Sequence, residues 1–133
     1  MLISRQSDYA VRVVRALSDM QIHSAVEIES RENVTVAFSY KILKKLEKAG
    51  IVNAIRGANG GYKLSKGCNE FTLFDIISAV DDDFIINECM HDGYICNSRC
   101  DSECLVHKEL CRIQSVLINE LKSKTMAEVL EWR

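Results

Sequence analysis

The sequence has no long hydrophobic run, no internal repeat, no low-complexity linker and no proline. No stretch approaches the roughly eighteen consecutive apolar residues of a membrane span, so we expect none. Arg5, Asp8 and Arg12 fall where a signal peptide would need its apolar centre, which predicts a cytoplasmic protein. In that compartment, clustered cysteines are typical of metal or redox sites and not of disulfide staples.

The residue patterns of common enzyme sites are also absent. The sequence contains no nucleophile–base arrangement and no paired-carboxylate motif. The glycine-rich segment 57–61 is not followed by Lys-Ser/Thr and lies in no βαβ unit, which argues against a nucleotide-binding loop. We therefore expect no catalytic activity.

The charges are divided unequally along the chain. The 133 residues are 47% hydrophobic, which is enough for a genuine core in a chain of one-domain size. Residues 1–66 sum to +5 and residues 67–133 to −7. This asymmetry indicates that the first part faces a polyanion and the second part does something else, and it places the predicted boundary at residue 66.

The periodicity of apolar residues in the first part predicts three helices, over residues 3–20, 24–32 and 35–49. Ser24 opens a capping box with Glu27, and Thr35 is a suitable N-cap for the third helix. Asn33 tolerates the left-handed conformation of a tight turn, and Gly50 stands where a helix commonly ends. Two helices separated by such a turn are typical of a helix-turn-helix.

The third helix carries a basic stripe, formed by Lys41, Lys44, Lys45 and Lys48. Such a stripe alone is usually a solvated helix face. Here it is followed by two β-prone runs, residues 51–56 and 62–65, joined by the glycine-rich tip, which is the pattern of a hairpin. Between residues 41 and 66 there are seven basic residues and one acidic residue, an excess that suits a phosphate-facing surface.

The fold class predicted from these elements is mainly α with a small β-hairpin wing, a winged helix-turn-helix domain that binds DNA. The residues expected at base edges in the major groove are Ser39, Tyr40 and Lys41. Those expected at phosphate or in the neighbouring groove are Lys44, Arg56 and Lys63, with Gly60 at the wing tip.

The second part contains a helix capped by Thr72 and ended at Asp81, a long helix over residues 104–124, and a last helix opened by a Thr125–Glu128 capping box. The apolar positions of the long helix include Leu110, Ile113, Leu117 and Leu121. A helix of roughly twenty residues spans about 30 Å, more than the winged domain can cover. Its apolar seam therefore predicts pairing with a second copy, in a homodimer.

Between these helices, residues 89–107 hold four of the six cysteines and two of the three histidines, among turn-forming residues. The candidate ligands are Cys89, Cys96, Cys100, Cys104 and His107. Gaps of six, three and three residues between the cysteines are wide for a structural zinc site and favour a larger object, an iron–sulfur cluster. Zinc, free thiols and a disulfide remain the alternatives. The acidic surroundings of residues 67–104 argue against a bare low-pKa thiol.

These motifs together resemble the IscR/NsrR/RirA group of bacterial winged-helix regulators, the Rrf family, over essentially the whole chain. The matching segments are Asp8-Tyr9-Ala-Val, Ser39-Tyr40, Leu46-Glu-Lys-Ala-Gly-Ile-Val52, Arg56-Gly-Ala-Asn-Gly-Gly-Tyr-Lys-Leu64, Asp75-Ile-Ile-Ser-Ala-Val80 and Cys104-Leu-Val-His107. The Arg-Gly-x-x-Gly-Gly-Tyr wing followed by spaced cysteines is the most specific of them.

The resemblance implies a homodimer that binds palindromic operator DNA and carries a [2Fe-2S] or [4Fe-4S] cluster. It assigns three ligands to Cys89, Cys96 and Cys104, and a fourth either to His107 or to an acidic residue matching Asp8 in the other subunit. The added Cys100 is a departure from the family pattern and a third candidate for the fourth position. Another departure is that Ile42 and Leu43 stand for the usual acidic-Gln pair of the recognition helix.

The sequence thus predicts a transcription regulator, with repression the expected mode, that senses iron–sulfur, redox or nitric-oxide status. One alternative keeps the DNA binding and makes the cysteines a zinc or thiol/disulfide switch. A more remote alternative is an iron–sulfur electron-transfer or carrier protein, which would have no use for the wing and the lysine stripe.

Overall fold

The computed structural model describes residues 3–96 and 104–131 of the chain. Within them the chain forms six α-helices, one 3-10 turn and a two-stranded antiparallel sheet. In chain order these are α1 (Arg5–Ala16), α2 (Ala25–Glu32), α3 (Val36–Lys48), β1 (Val52–Ile55), β2 (Gly61–Leu64), α4 (Leu73–Val80), the 3-10 turn (Glu88–Met90), α5 (Leu105–Lys122) and α6 (Met126–Leu130). The mainly helical fold with a hairpin wing is confirmed.

The helix ends follow the capping residues of the sequence. Ser24 and Thr35 each accept the backbone N–H three residues ahead, and Asn33 adopts the left-handed conformation with φ 55°. The predicted capping box at α2 forms only in part, because the Glu27 carboxylate lies 2.6 Å from His23 Nδ1. α1 is shorter than the predicted 3–20, since Met20 takes a positive φ of 63° in the turn that follows it.

A single hydrophobic core lies between α1, α3, α4 and the base of the wing. Its fully buried side chains include Val13, Leu17, Ile28, Ile42, Leu46, Ile76 and Met126. Met126 comes from α6, whose N–H groups at Met126 and Ala127 donate to the carbonyls of Phe71 and Cys68, each at 2.9 Å. The chain after residue 66 therefore completes the core of the winged domain, and each such buried side chain contributes roughly 1.5–3 kcal/mol.

The wing is fastened to the start of the helix-turn-helix. His23 and Tyr62 exchange backbone hydrogen bonds of 2.9 and 2.8 Å, so that β2 is held against residue 23. A Cβ atom on Gly61 would lie 2.5 Å from the His23 carbonyl oxygen, and one on Gly60 would lie 2.2 Å from that of Ile55. Both positions need glycine because other backbone atoms approach so closely.

The His23 side chain joins the same region through hydrogen bonds. It is buried, with Nε2 2.8 Å from an oxygen of Asp19, which also accepts from Arg31 at 3.1 Å. Burial raises the pKa of Asp19, but hydrogen bonds from the Gln21 N–H, His23 and Arg31 outweigh it and lower that pKa to about 2. The end of α1, the start of α2 and the wing thus meet at one histidine.

A second junction joins the C-terminus of α4 to α1 and α3. The Asp81 carboxylate accepts hydrogen bonds from Ser4 Oγ at 2.6 Å and Ser7 Oγ at 2.5 Å. The Val80 carbonyl accepts from Lys45 Nζ of α3 at 3.1 Å and from the Gln6 side-chain amide of α1. We call this group of five side chains and one carbonyl the α4-terminus junction.

α5 packs against the rest of the chain along one side only. Lys122 Nζ lies 4.5 Å from the Phe74 ring centroid, and the Ile86 N–H donates to Gln114 Oε1 at 3.0 Å. Of residues 105–122, all of which are described, none is buried. The exposed apolar side chains of this helix are Leu105, Val106, Ile113 and Val116. In the part of the chain that the structure describes, no helix is both long and apolar enough to cross a membrane.

We predict that Gly61→Ala lowers the free energy of unfolding by more than about 2 kcal/mol, since a Cβ atom would force β2 away from residue 23. Gly57→Ala is the matched control: it also has a positive φ, of 115°, but no atom lies within 4 Å of the added carbon. It should cost about 1 kcal/mol. Urea unfolding measures both, and equal losses would contradict the close approach at residue 61.

Candidate functional site

α3 presents a basic face to solvent. Lys41, Lys44 and Lys48 are exposed, and Tyr40 beside them is 52% exposed. Lys45 belongs to the predicted stripe, but its ammonium is held by the Val80 carbonyl, and the side chain is half-buried. The free cationic face of α3 is therefore narrower than the sequence predicts, with three lysines in place of four.

Ser39 differs from its predicted place at base edges. It is fully buried, and its hydroxyl donates to the Val34 carbonyl at 3.3 Å. Its position on the helix explains this, because residues 39, 42, 43 and 46 form one face at helical spacing and all four are buried. The buried hydroxyl stabilises the turn before α3, and the exposed surface of this part of the helix begins at Tyr40 and Lys41.

Ile42 and Leu43 are likewise fully buried in the core. In the resemblance these two residues stand for the acidic-Gln pair of the recognition helix. Neither side chain reaches the surface here, and Tyr40 and Lys41 are the exposed pair at this part of the helix.

A groove separates α3 from the wing. It is lined by Ser24, Ala25, Tyr40, Ala54, Ile55, Arg56, Gly57, Gly60, Gly61 and Tyr62. The rings of Tyr40 and Tyr62 meet edge to face, with centroids 6.2 Å apart, so the wing orients the exposed tyrosine of α3. Arg56 is exposed at one wall, and Lys63 is half-buried.

Gly60 has a structural task in this groove. Its N–H donates to the Gly57 carbonyl at 3.0 Å, and its missing side chain makes room for the Ile55 carbonyl. Its amide hydrogen is used within the wing turn, so Gly60 shapes the wing and does not offer a donor to phosphate.

A second group of side chains gathers where α5 begins. Cys89 Sγ, from the 3-10 turn, lies 3.4 Å from His107 Nδ1. Cys104 is the N-cap of α5, and its sulfur accepts the His107 N–H at 3.5 Å. Asn87 Nδ2 donates to Cys89 Sγ at 3.4 Å. The structure thus brings together three of the predicted ligands, Cys89, Cys104 and His107, and all three are half-buried.

A fourth side chain, Cys111, joins this group without having been predicted. Its Sγ lies 3.4 Å from His107 Nε2, on the opposite side of the ring from Cys89. The signal was present in the sequence, because residues 107 and 111 are four apart on a helix and share one face. Cys68 lies elsewhere, against the core and α6, and burial raises the pKa of its thiol.

The sequence offers three further candidate ligands, Cys96, Cys100 and Asp8. Cys96 is exposed at the end of the first described segment, and Cys100 lies outside the described residues. Asp8 stands on α1 and pairs with Arg12 at 3.2 Å. Among residues 3–96 and 104–131, no three His, Cys, Asp or Glu side chains already surround the position of one metal ion.

The donor chemistry nevertheless fits a soft metal centre. The Cys89 thiol contacts the His107 ring, the Cys104 thiol contacts the backbone N–H of the same residue, and the Asn87 amide is hydrogen-bonded to the Cys89 sulfur. These are the ligand types of iron–sulfur clusters and of zinc. Hydrogen bonds to ligand sulfurs are among the interactions that tune such centres.

A helix-turn-helix with a basic face, a wing and a cysteine–histidine group defines a DNA-binding regulator of the winged-helix class. The chain belongs to the Rrf2 family, described as iron-dependent transcriptional regulators, which it matches over residues 3–131. Members of this family are transcription regulators and not enzymes.

Relatives and solved structures support this assignment. A Rhizobium meliloti protein, aau3, is 31% identical over 135 residues, covering 100% of this chain and 87% of the relative. The regulator IscR of Vibrio campbellii is 26% identical, covering 98% of this chain and 78% of its own. The structure of IscR from T. potens superposes with a TM-score of 0.76 at 20% identity, over 97% and 85% of the two chains.

The structure of CymR, described as the global cysteine regulator of B. subtilis, superposes equally well. Its TM-score is 0.79 at 22% identity, over 98% of this chain and 97% of that one. A likeness at this identity shows a shared fold, and family membership alone does not decide the cofactor of this chain.

We predict that Lys44→Ala weakens binding to an operator and to unrelated duplex by the same factor. The physical reason is the loss of one phosphate contact, which should reduce the slope of log K against log salt by about one unit. Lys124→Ala removes the same charge from an exposed site between α5 and α6 and should leave the slope unchanged. Fluorescence anisotropy over a salt series measures both; a change in sequence preference at constant slope would mean that Lys44 reads bases.

Proposed function

We propose that the protein is a homodimeric repressor whose affinity for a palindromic operator is controlled by an iron–sulfur cluster. The observation that carries the cofactor is the contact of Cys89 Sγ with the His107 ring at the start of α5, where Cys104 is the N-cap residue. The basic face of α3 and the wing support the DNA-binding part, which the family also has.

The cluster is assigned to Cys89, Cys96, Cys104 and one further ligand. Among the three candidates for the fourth position, the contacts favour His107, since its ring nitrogen already faces Cys89. Asp8 is engaged with Arg12 in its own chain, and using it would require a second subunit to approach α1. When bound, a [2Fe-2S] or [4Fe-4S] cluster supplies a centre that responds to iron supply and to oxidants.

The dimer is assigned to α5. This 18-residue helix is about 27 Å long and has an exposed apolar side that includes Val116, 48% exposed, and Ile113, 37% exposed. Apolar side chains on one face of an otherwise solvated helix are covered when two copies pair. Because the ligands stand at the start of the same helix, pairing sets the distance between the two metal sites.

The α4-terminus junction supplies a path from the cysteine residues to DNA. The segment that carries Cys89 leaves directly from Asp81, and Asp81 is hydrogen-bonded to α1. The neighbouring Val80 carbonyl is bonded to Lys45 of the recognition helix. A shift of the segment after residue 81 therefore pulls on both helices that carry the DNA-binding surface.

The energy required for regulation is small. Two recognition helices of a dimer must match half-sites about 34–36 Å apart, so a modest rotation changes operator affinity. Coupling free energies of ~1–3 kcal/mol are typical for such linkage. Hydrogen bonds to charged groups, such as those at Asp81 and Lys45, contribute ~1.5–3 kcal/mol each. Interactions of this strength are sufficient to transmit a coupling free energy of that size.

A second candidate retains the DNA binding and replaces the cluster by zinc or by a thiol/disulfide switch. It is favoured by the half-buried thiols around His107, which are also a zinc donor set. The solved relatives include an oxidised form of Staphylococcus aureus CymR. A cluster carrier is disfavoured, because it would leave the basic face of α3 and the wing without a role.

We predict that anaerobically prepared protein is brown, contains iron and sulfide, and is a dimer with or without the cluster. Its operator affinity should differ at least about fivefold between the two forms. Cys89→Ala should abolish the colour and behave as the cluster-free form in both states, whereas Cys68→Ala should retain the colour. The measurements are metal and sulfide analysis, sizing with light scattering, and anaerobic anisotropy titrations.

Three results would contradict parts of the proposal separately. Colourless protein that contains stoichiometric zinc would contradict the iron–sulfur cluster and support the second candidate function. Equal affinities of the loaded and cluster-free forms on every operator selected from random duplexes would remove the regulatory role. A monomer on sizing would remove the dimer and the half-site geometry with it.

A further inference from the structure

His107 has a sulfur atom at each of its two ring nitrogens. Nδ1 lies 3.4 Å from Cys89 Sγ, and Nε2 lies 3.4 Å from Cys111 Sγ. The two sulfurs come from different places: Cys89 from the 3-10 turn and Cys111 from the second turn of α5. The His107 ring therefore lies between the 3-10 turn that carries Cys89 and the body of α5.

A neutral imidazole carries one N–H, and the nitrogen that binds a metal is the other one. In metal sites the remaining ring N–H donates to a nearby acceptor, which fixes the tautomer and the orientation of the ring. Nδ1 faces the thiol of a predicted ligand, so Nε2 is the nitrogen that requires an acceptor. The Cys111 sulfur lies 3.4 Å from it.

Cys111 and Cys89 contact different nitrogens of the His107 ring. Cys111 lies four residues beyond His107 along α5, about 6 Å of helix axis further from the N-terminus at which Cys104 is the cap. Its sulfur contacts the nitrogen that points away from Cys89. This geometry distinguishes Cys111 from the ligands Cys89 and Cys104.

We propose that Cys111 is a positioning residue, which accepts the Nε2–H of His107 and so presents Nδ1 to the metal centre. The inference rests on the proposed cluster and deepens it by naming the nitrogen of His107 that binds. It also gives a task to a cysteine that spacing alone leaves unassigned.

The first test uses cluster-free protein, so that it does not depend on loading. Long-range ¹H–¹⁵N correlation spectra at pH about 8, above the ordinary histidine pKa of about 6.5, distinguish the two neutral tautomers. The His107 signals are identified by their loss in His107→Gln. We expect the Nε2–H tautomer in the natural protein and in Cys111→Ser, whose hydroxyl also accepts, and a mixture of tautomers in Cys111→Ala. The same tautomer population in all three proteins would overturn the proposal.

The second test uses protein loaded anaerobically. Cys111→Ala should load iron and sulfide to the natural stoichiometry but lose the cluster to a chelator about tenfold faster, as is typical when a partner of a metal ligand is removed. Cys111→Ser should lie near the natural rate, and Cys68→Ala, another half-buried cysteine, should not change it. An unchanged rate in Cys111→Ala overturns the positioning role.

The two tests separate this inference from the proposed function. We expect Cys89→Ala to bind no iron. If both Cys111 variants also bind no iron, Cys111 is itself a ligand and the positioning role is overturned. If the natural protein binds no iron, the cluster assignment fails, and the tautomer comparison alone then decides whether Cys111 orients His107.

Discussion

The orientation of the DNA-binding surface depends on how α4 ends. The last carbonyls of a helix have no partner within it, and the end of α4 contains no lysine or arginine to satisfy them. Other elements supply the partners: Lys45 of α3 and Gln6 of α1 both donate to the Val80 carbonyl. The Asp81 carboxylate adds hydrogen bonds from Ser4 and Ser7. The recognition helix is thus bonded to Val80, next to Asp81, from which the segment that carries Cys89 leaves. The Lys45 ammonium at this helix C-terminus also suits the helix dipole.

The region after this junction has less support of its own than the winged domain. The first part of the chain is ordered by a core of fully buried side chains, whereas α5 has no buried residue at any of its described positions. The side chains that meet at the start of α5 are potential metal ligands and their neighbour, and not apolar residues. They are Cys89, Cys104, His107 and Cys111. In the proposed account, a metal centre and a second subunit supply the stability that this region lacks. That dependence is what makes the region responsive, since the state of the metal centre then changes its order.

Much of this could be predicted from sequence, because local chemistry decides it. The caps at Ser24 and Thr35 and the left-handed turn at Asn33 form where residue type predicts them. The errors arose where tertiary contacts override local pattern. The sequence predicts that Ser39 is exposed, yet Ser39 lies on the buried face of α3. Lys45 belongs to the predicted basic stripe, yet its ammonium donates to the Val80 carbonyl, 35 residues away in the chain. Neither periodicity nor charge reveals such contacts. The helical spacing of residues 39, 42, 43 and 46, by contrast, does show that they share one face.

The central claim is that the segment carrying Cys89 and the recognition helix are coupled through the α4-terminus junction. The substitution Lys45→Met tests this claim most directly. This change removes the hydrogen bond to the Val80 carbonyl and keeps the length of the side chain. The measurement is the ratio of operator affinities of the cluster-loaded and cluster-free forms, at matched salt and iron content. The account predicts that the ratio falls toward one in Lys45→Met while iron content and dimerisation stay as in the natural protein. A ratio unchanged from that of the natural protein would show that the junction carries no coupling.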